Sequence, residues 1–269
     1  MESNSNPVEK HIVFCNCQGN NTDRTKSEKI KQYLQTLPVR VTILSDFCGL
    51  AATRAGSLKG LFSEKEEVII LGCHRRTMTL LFESISSITG ELMAPAFINH
   101  INSETEYTEN EINKFLSSYS GRQSFTEISE DSGWPSWYPV IDYNRCTSCG
   151  QCADFCLFEV YEKTPGRVNV INPHGCKNQC PACARICPAT AIIFPKYKNG
   201  GAIGGSDNID EQSENDRRAK DVENILGNDI YTTLRNREIK RRSIIKEEAM
   251  KKALAERENM LKQSGMQKI

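Results

Sequence analysis

The chain has 269 residues with 34 basic and 34 acidic side chains, so its formal charge is zero and no basic surplus points to nucleic acid. No apolar run approaches the roughly 18 residues of a membrane span, and Met1 to Lys10 lacks the charged-then-apolar layout of an export signal. A soluble, cytoplasmic protein of more than one domain is expected, whose twelve cysteines are reduced thiols or metal ligands rather than disulfides.

His11 to Cys15 (HIVFC) reads as an apolar strand, followed by a helix from a Thr25/Glu28 capping box to about Leu37. Val39 to Phe47 is a second strand ending at Cys48-Gly49. Glu67 to Leu71 is a third, ending at Gly72-Cys73 before a helical stretch, Thr77 to Ser87. Ala96 to Ile101 reads as a fourth strand, and Thr108 and Glu111 cap a helix to about Tyr119. This alternation predicts a small, parallel α/β domain over residues 1–120.

Four cysteines, Cys15, Cys17, Cys48 and Cys73, fall at or just past the ends of three of these strands. Open parallel sheets gather functional groups there. The four thiols could hold an iron–sulfur cluster or a zinc ion. Alternatively, Cys15 and Cys17 could form a redox dithiol, with a pKa lowered by the following helix N-terminus. Cys48 and Cys73 could equally be small buried apolar side chains. His74, Arg75 and Arg76 could offset a cluster's charge or hold an anion, but the simpler reading is a solvated turn.

Residues 121–133 are polar and read as a linker. Trp134, Pro135, Ser136, Trp137, Tyr138 and Pro139 follow, and are expected to pack two domains together rather than to anchor a partner or shield a cluster. Within 134–198, Pro139 to Tyr143 reads as a strand, Ala153 to Phe158 as a helical turn, Glu159 to Glu162 and Arg167 to Ile171 as a hairpin, and Ala191 to Phe194 as a strand.

Between these elements lie two runs of four cysteines: Cys146, Cys149, Cys152 and Cys156, then Cys176, Cys180, Cys183 and Cys187, the last followed by Pro188. Three cysteines spaced by two residues fit a loop wrapping one corner of a cuboidal cluster. Structural zinc is the competing reading of such pairs, but two near-identical runs of four closed by Cys-Pro favour clusters. In two places the pattern is loosened: Leu157 rather than proline follows Cys156, and three residues, Lys177 to Gln179, separate Cys176 from Cys180.

Gly200, Gly201, Gly204 and Gly205 form a Gly-rich patch, but no capped helix or long α/β segment follows, so no flavin or NAD site is expected. Residues 199–216 read as a flexible linker and 217–269 as a charged helical tail. The tail holds Val222, Ile225, Leu226, Ile230 and Leu234 at helical spacing, a basic stretch from Arg235 to Lys246, and a charged helix from Glu247 to about Lys262. It reads as a docking or oligomerisation arm rather than a domain. Of the histidines, His11 begins a strand, His100 ends one and His174 lies in a turn, so none requires a catalytic role.

Cys146 to Pro188 resembles the bacterial-type 2[4Fe-4S] ferredoxin domain. In that pattern the fourth cysteine of each run ligates the other cluster. The resemblance implies that Cys146, Cys149, Cys152 and Cys187 hold one [4Fe-4S] cluster, and Cys156, Cys176, Cys180 and Cys183 a second. Upstream, VFCNCQGN, DFCGLAATR and IILGCHRRTMTLLFE are similar to the N-terminal domain of the flavin-carrying polypeptide of heterodisulfide reductases. This similarity implies a candidate third cluster on Cys15, Cys17, Cys48 and Cys73, although that family's flavin domain has no counterpart here.

The expected architecture is therefore a parallel α/β domain, an α+β dicluster ferredoxin domain and a helical tail. The expected function is single-electron relay between redox partner proteins, as subunit or accessory of a larger oxidoreductase. The alternative is a ferredoxin-linked thiol–disulfide reductase using Cys15 and Cys17.

Overall fold

The computed structural model describes residues 9–17, 19, 22–63, 66–90, 97–103, 108–117, 119–129 and 137–226, with the single positions 232, 235, 236, 239, 251 and 255. Strands β1 (Glu9–Cys15), β2 (Arg40–Leu44), β3 (Glu66–Gly72), β4 (Phe97–Asn102) and β5 (Ser124–Ile128) form one parallel sheet in the order β4-β3-β1-β2-β5. The central strands are apolar on both faces because helices cover both. Ile12, Phe14, Ile43 and Leu71 pack with Ile30 and Leu34 of α1 (Arg24–Leu34) and Ile112 of α4 (Thr108–Phe115). On the opposite face, Val13 and Ile70 pack with Phe47 and Leu50 of α2 (Phe47–Thr53) and Leu81 and Ile85 of α3 (Arg75–Thr89).

Several boundaries differ from the sequence reading. The cap of α1 is Asp23, whose Oδ1 accepts from the N–H groups of Thr25 and Lys26 at 3.0 and 3.1 Å, rather than a Thr25/Glu28 box. Strand β2 stops at Leu44 because Asp46 caps α2, which puts Cys48 in the first turn of a helix and not at a strand end. The segment read as a linker after residue 121 contains β5, a fifth strand beside β2. Its composition looks like a linker because it is an edge strand whose side chains are mostly exposed; Phe125 remains 38% exposed.

The cysteine-rich part is built from short elements. Strand β6 (Val140–Ile141) pairs antiparallel with β9 (Ile192–Ile193), and β7 (Tyr161–Thr164) with β8 (Arg167–Val170). Helices α5 (Gln151–Phe155) and α6 (Ala182–Ile186) follow the two cysteine loops. This pseudo-repeat shares a continuous core with one face of the sheet: Trp137 stacks on Phe194 with centroids 4.9 Å apart, and Tyr138 is buried beside them.

The glycine-rich stretch expected to be flexible is a packed connection. The Phe194 N–H donates to the Ile203 carbonyl at 2.7 Å, and Ala202 and Ile203 are buried. Gly205 has a φ of +88°, and a Cβ there would lie 1.9 Å from Thr77 Oγ1, so glycine alone lets the chain run this close to α3. Asp207 then caps α3 from a distance, accepting from the N–H groups of Arg75 and Arg76 at 3.2 and 2.6 Å. The following helix, α7 (Glu211–Leu226), starts earlier than the residue near Arg217 expected from periodicity. Strand residues before Phe97, the Trp134 to Ser136 strip and the helix expected over 247–262 fall outside, or almost wholly outside, the described residues. Among the described residues, no helix is long and apolar enough to cross a membrane.

Arg76 is a half-buried clamp rather than part of a solvated turn. Its Nε and Nη2 donate to Asp142 Oδ2 at 3.2 and 3.0 Å, and it also reaches the carbonyls of Ala202 and Thr190. With side chains 12% and 8% exposed, removal of the cation leaves a buried carboxylate without its charge partner. Arg76→Met should cost about 3 kcal/mol in denaturant unfolding, and Arg76→Met/Asp142→Asn should recover part of it. Equal loss in both variants would mean that packing, not the charge pair, holds the contact.

His11 is completely buried beside Thr42 Oγ1 at 2.9 Å. Burial first, then Arg40, pulls its pKa down from 6.5 to about 4 against the opposing pull of Glu66. As pH falls below about 6.5 the unfolded chain binds a proton that the folded chain refuses until about pH 4. Stability is therefore full above that window and declines through it, by about 3 kcal/mol in total. His11→Gln should flatten this part of the pH dependence of the urea midpoint; parallel curves would refute the assignment.

Candidate iron–sulfur sites

The two cysteine runs exchange members in space. Cys146, Cys149 and Cys152 line one cleft together with Cys187, against Ile141, Val168 and Ile192. Cys156 lines another with Cys176, Cys180 and Cys183, against Phe155 and Tyr161. Each loop is shaped by a residue with positive φ directly before its second cysteine, Ser148 at 56° and Gln179 at 60°. A matching pair lies three residues past the fourth cysteine, Glu159 at 52° and Thr190 at 49°. Such conformations cost about 1 kcal/mol each, and their repetition reflects the same loop built twice. Since Gln179 keeps its place next to Cys180, the additional residue of the second loop is absorbed ahead of it.

Burial gives these thiols their electrostatic character. Burial, then the neighbouring Cys187, pushes Cys152 up to about 12. Cys176 is likewise pushed to about 12, by burial and then by Cys156 and Cys180. Cys183 is raised well above the ordinary thiol range, chiefly by burial, although the Tyr161 hydroxyl donates to its sulfur at 3.0 Å and opposes the shift. Closely spaced thiols in apolar surroundings resist ionising together, and metal coordination is what deprotonates them outright. The donor sets suit iron–sulfur chemistry: all-thiolate, four to a site, and in an apolar shell.

The remaining four thiols also meet. Cys15, Cys17, Cys48 and Cys73 line one cleft of about 670 Å³ at the carboxyl end of β1 and β3, where the strand order reverses. Cys15 and Cys48 are buried, and Cys17 and Cys73 half-buried. Cys15 is raised well above its ordinary value by burial, then by Cys17 and Cys73. Cys48 is raised by burial and then Asp46, with Lys196 opposing. A redox dithiol needs the reverse, a lowered pKa, and α1 starts only at Arg24, seven residues past Cys17. The Gly19 N–H donates to Cys17 Sγ at 3.2 Å, the kind of backbone contact that a cluster ligand receives.

Sequence reasoning missed the polar residues around these thiols. Lys196, from the segment after β9, reaches Asp46 beside Cys48, and its pKa stays above the usual lysine value because Cys48 and Asp46 outweigh its burial. Arg185 lines the second cleft, Tyr197 the cleft at the sheet, and the two are hydrogen-bonded at 3.1 Å. The one available signal was the string Phe194-Pro-Lys-Tyr-Lys198, charged and aromatic directly after a buried strand. His74, by contrast, is a partly exposed neighbour of Asp207 at 4.0 Å.

Comparison with known proteins agrees with this chemistry. Residues 139–156 match the 4Fe-4S binding domain family. An uncharacterised ferredoxin of Methanocaldococcus jannaschii is 48% identical over 64 residues, 23% of this chain and 44% of that protein. The chain thus spans less than half the length of this relative. No solved structure matches. The pattern of thiols and these similarities together establish that the chain carries a ferredoxin-type [4Fe-4S] domain.

Proposed function

We propose that this chain is an electron-transfer protein with three [4Fe-4S] sites, two in the ferredoxin part and one at the edge of the parallel sheet, working as subunit or accessory of a larger oxidoreductase. The observation that carries the reading is the gathering of all twelve thiols into three sets of four. Bound clusters supply one-electron oxidation and reduction, and the protein sets the potential through burial, charge and hydrogen bonds to sulfur. The ligands of the three sites are then Cys146, Cys149, Cys152 and Cys187; Cys156, Cys176, Cys180 and Cys183; and Cys15, Cys17, Cys48 and Cys73.

The polypeptide orders these sites. Cys149 is the exposed thiol of the first set, which suits exchange with an external partner. The second set approaches the sheet set through the Arg185–Tyr197 hydrogen bond. A donor and an acceptor protein complete the relay, and 217–269 is the proposed docking arm. The resemblance of Ile12 to Glu83 to the N-terminal domain of the flavin-carrying polypeptide of heterodisulfide reductases motivates the assembly context.

Anoxically purified protein should contain about twelve iron and twelve acid-labile sulfide atoms per chain, and Cys15→Ser should lower both to about eight. About eight in the unaltered protein, with Cys15 and Cys17 titrating as a reversible dithiol, would replace this reading by a ferredoxin-linked thiol–disulfide reductase. Tyr161→Phe removes a hydrogen bond to Cys183. The second-set centre should then become harder to reduce in a titration followed by paramagnetic resonance, with the first-set centre unchanged. An unshifted second centre would leave Tyr161 with a packing role alone.

A further inference from the structure

Lys196 belongs in sequence to the ferredoxin part, two residues past buried Phe194, yet its amine lies in the cleft of the sheet's four thiols. Its Nζ is 2.5 Å from Asp46 Oδ2, and both side chains are only 9% exposed. The other oxygen of Asp46 accepts from the Gly49 N–H at 3.4 Å at the start of α2. One carboxylate thus fixes both the helical turn that carries Cys48 and the ammonium beside it. A buried cation acts strongly on neighbouring charge because little water screens it.

We propose that Lys196 is the built-in counter-cation of the sheet-edge site: it positions Cys48 through Asp46 and raises the reduction potential of a cluster held there. This rests on the three-site reading above. It makes the sheet-edge site electrostatically complete only when the ferredoxin part is seated against the sheet. Lys196 is a positioning residue, not a ligand. Its partner Asp46 acts on the potential with the opposite sign.

The test is a redox titration of the anoxically purified full chain, followed by paramagnetic resonance. Lys196→Gln should move the midpoint of the sheet-edge centre to lower potential and leave the two ferredoxin centres in place, and Lys196→Arg should restore it. Asp46→Asn, which keeps an oxygen for the helix cap, should move the same midpoint upward. A merely structural role would give no such opposed pair. An unshifted midpoint in Lys196→Gln, or shifts of the same sign in both variants, would overturn the proposal. Should Lys196→Gln shed its iron, Asp46→Asn decides: an upward shift supports the proposal, while no shift or a downward one refutes it. About eight iron atoms in the unaltered chain would instead remove the three-site reading itself.

Discussion

Four thiols enclosed by apolar side chains are an electrostatic problem before they are a cofactor site. Each is expensive to ionise alone, and more so with its neighbours ionised, which is why burial and mutual repulsion raise Cys152, Cys176 and Cys183 together. Iron resolves the conflict by bonding to the thiolate sulfur. The ferredoxin part depends on that resolution because its strands are only two to four residues long and its helices five. Little regular structure of its own defines its interior, so a [4Fe-4S] group bound there would contribute to its folding.

The sheet obeys different rules. Its central strands are held by a two-sided apolar core that requires no metal, with Ile12, Phe14 and Leu71 on one face and Val13 and Ile70 on the other. A parallel sheet nevertheless needs a place where neighbouring connections diverge, and here β1 leads to β2 on one side while β3 lies on the other. The loops leaving β1 and β3 open a crevice at that point, lined by Cys15 at the end of β1 and by Cys17 and Cys73 from the loops. The thiol site therefore uses a crevice that the topology already supplies.

Much of this was legible in the residues. The eight-cysteine spacing specified two loops, and the exchange of Cys156 and Cys187 between them followed from the ferredoxin resemblance. Strands β1 and β3 were legible because both faces are apolar. What was hidden had a local disguise. Ser124–Ile128 is a strand with the polarity of a linker, since edge position removes the need for an apolar face. Cys48 was displaced from a strand end because Asp46 closes a helix there, a cap that the apolar run across it concealed. Arg76, Asp142, Asp207 and Lys196 find their partners across long stretches of chain, and no local pattern records such pairings.

Those long-range pairs share an origin that bears on how the halves cooperate. Lys196, Tyr197, Ile203, Gly205 and Asp207 all lie in the fourteen residues that follow the last strand of the ferredoxin part, and each touches something decisive. Lys196 reaches the cap of α2, Gly205 passes against Thr77, and Asp207 closes the N-terminus of α3. Helices α2 and α3 are the two that cover the face of the sheet beside the ferredoxin part. A segment positioned at one end by β9 thus sets the ends of the helices around the sheet's thiols. On the proposed three-site reading, order in the ferredoxin loops would bear on Cys48 and Cys73 through these capped helix termini.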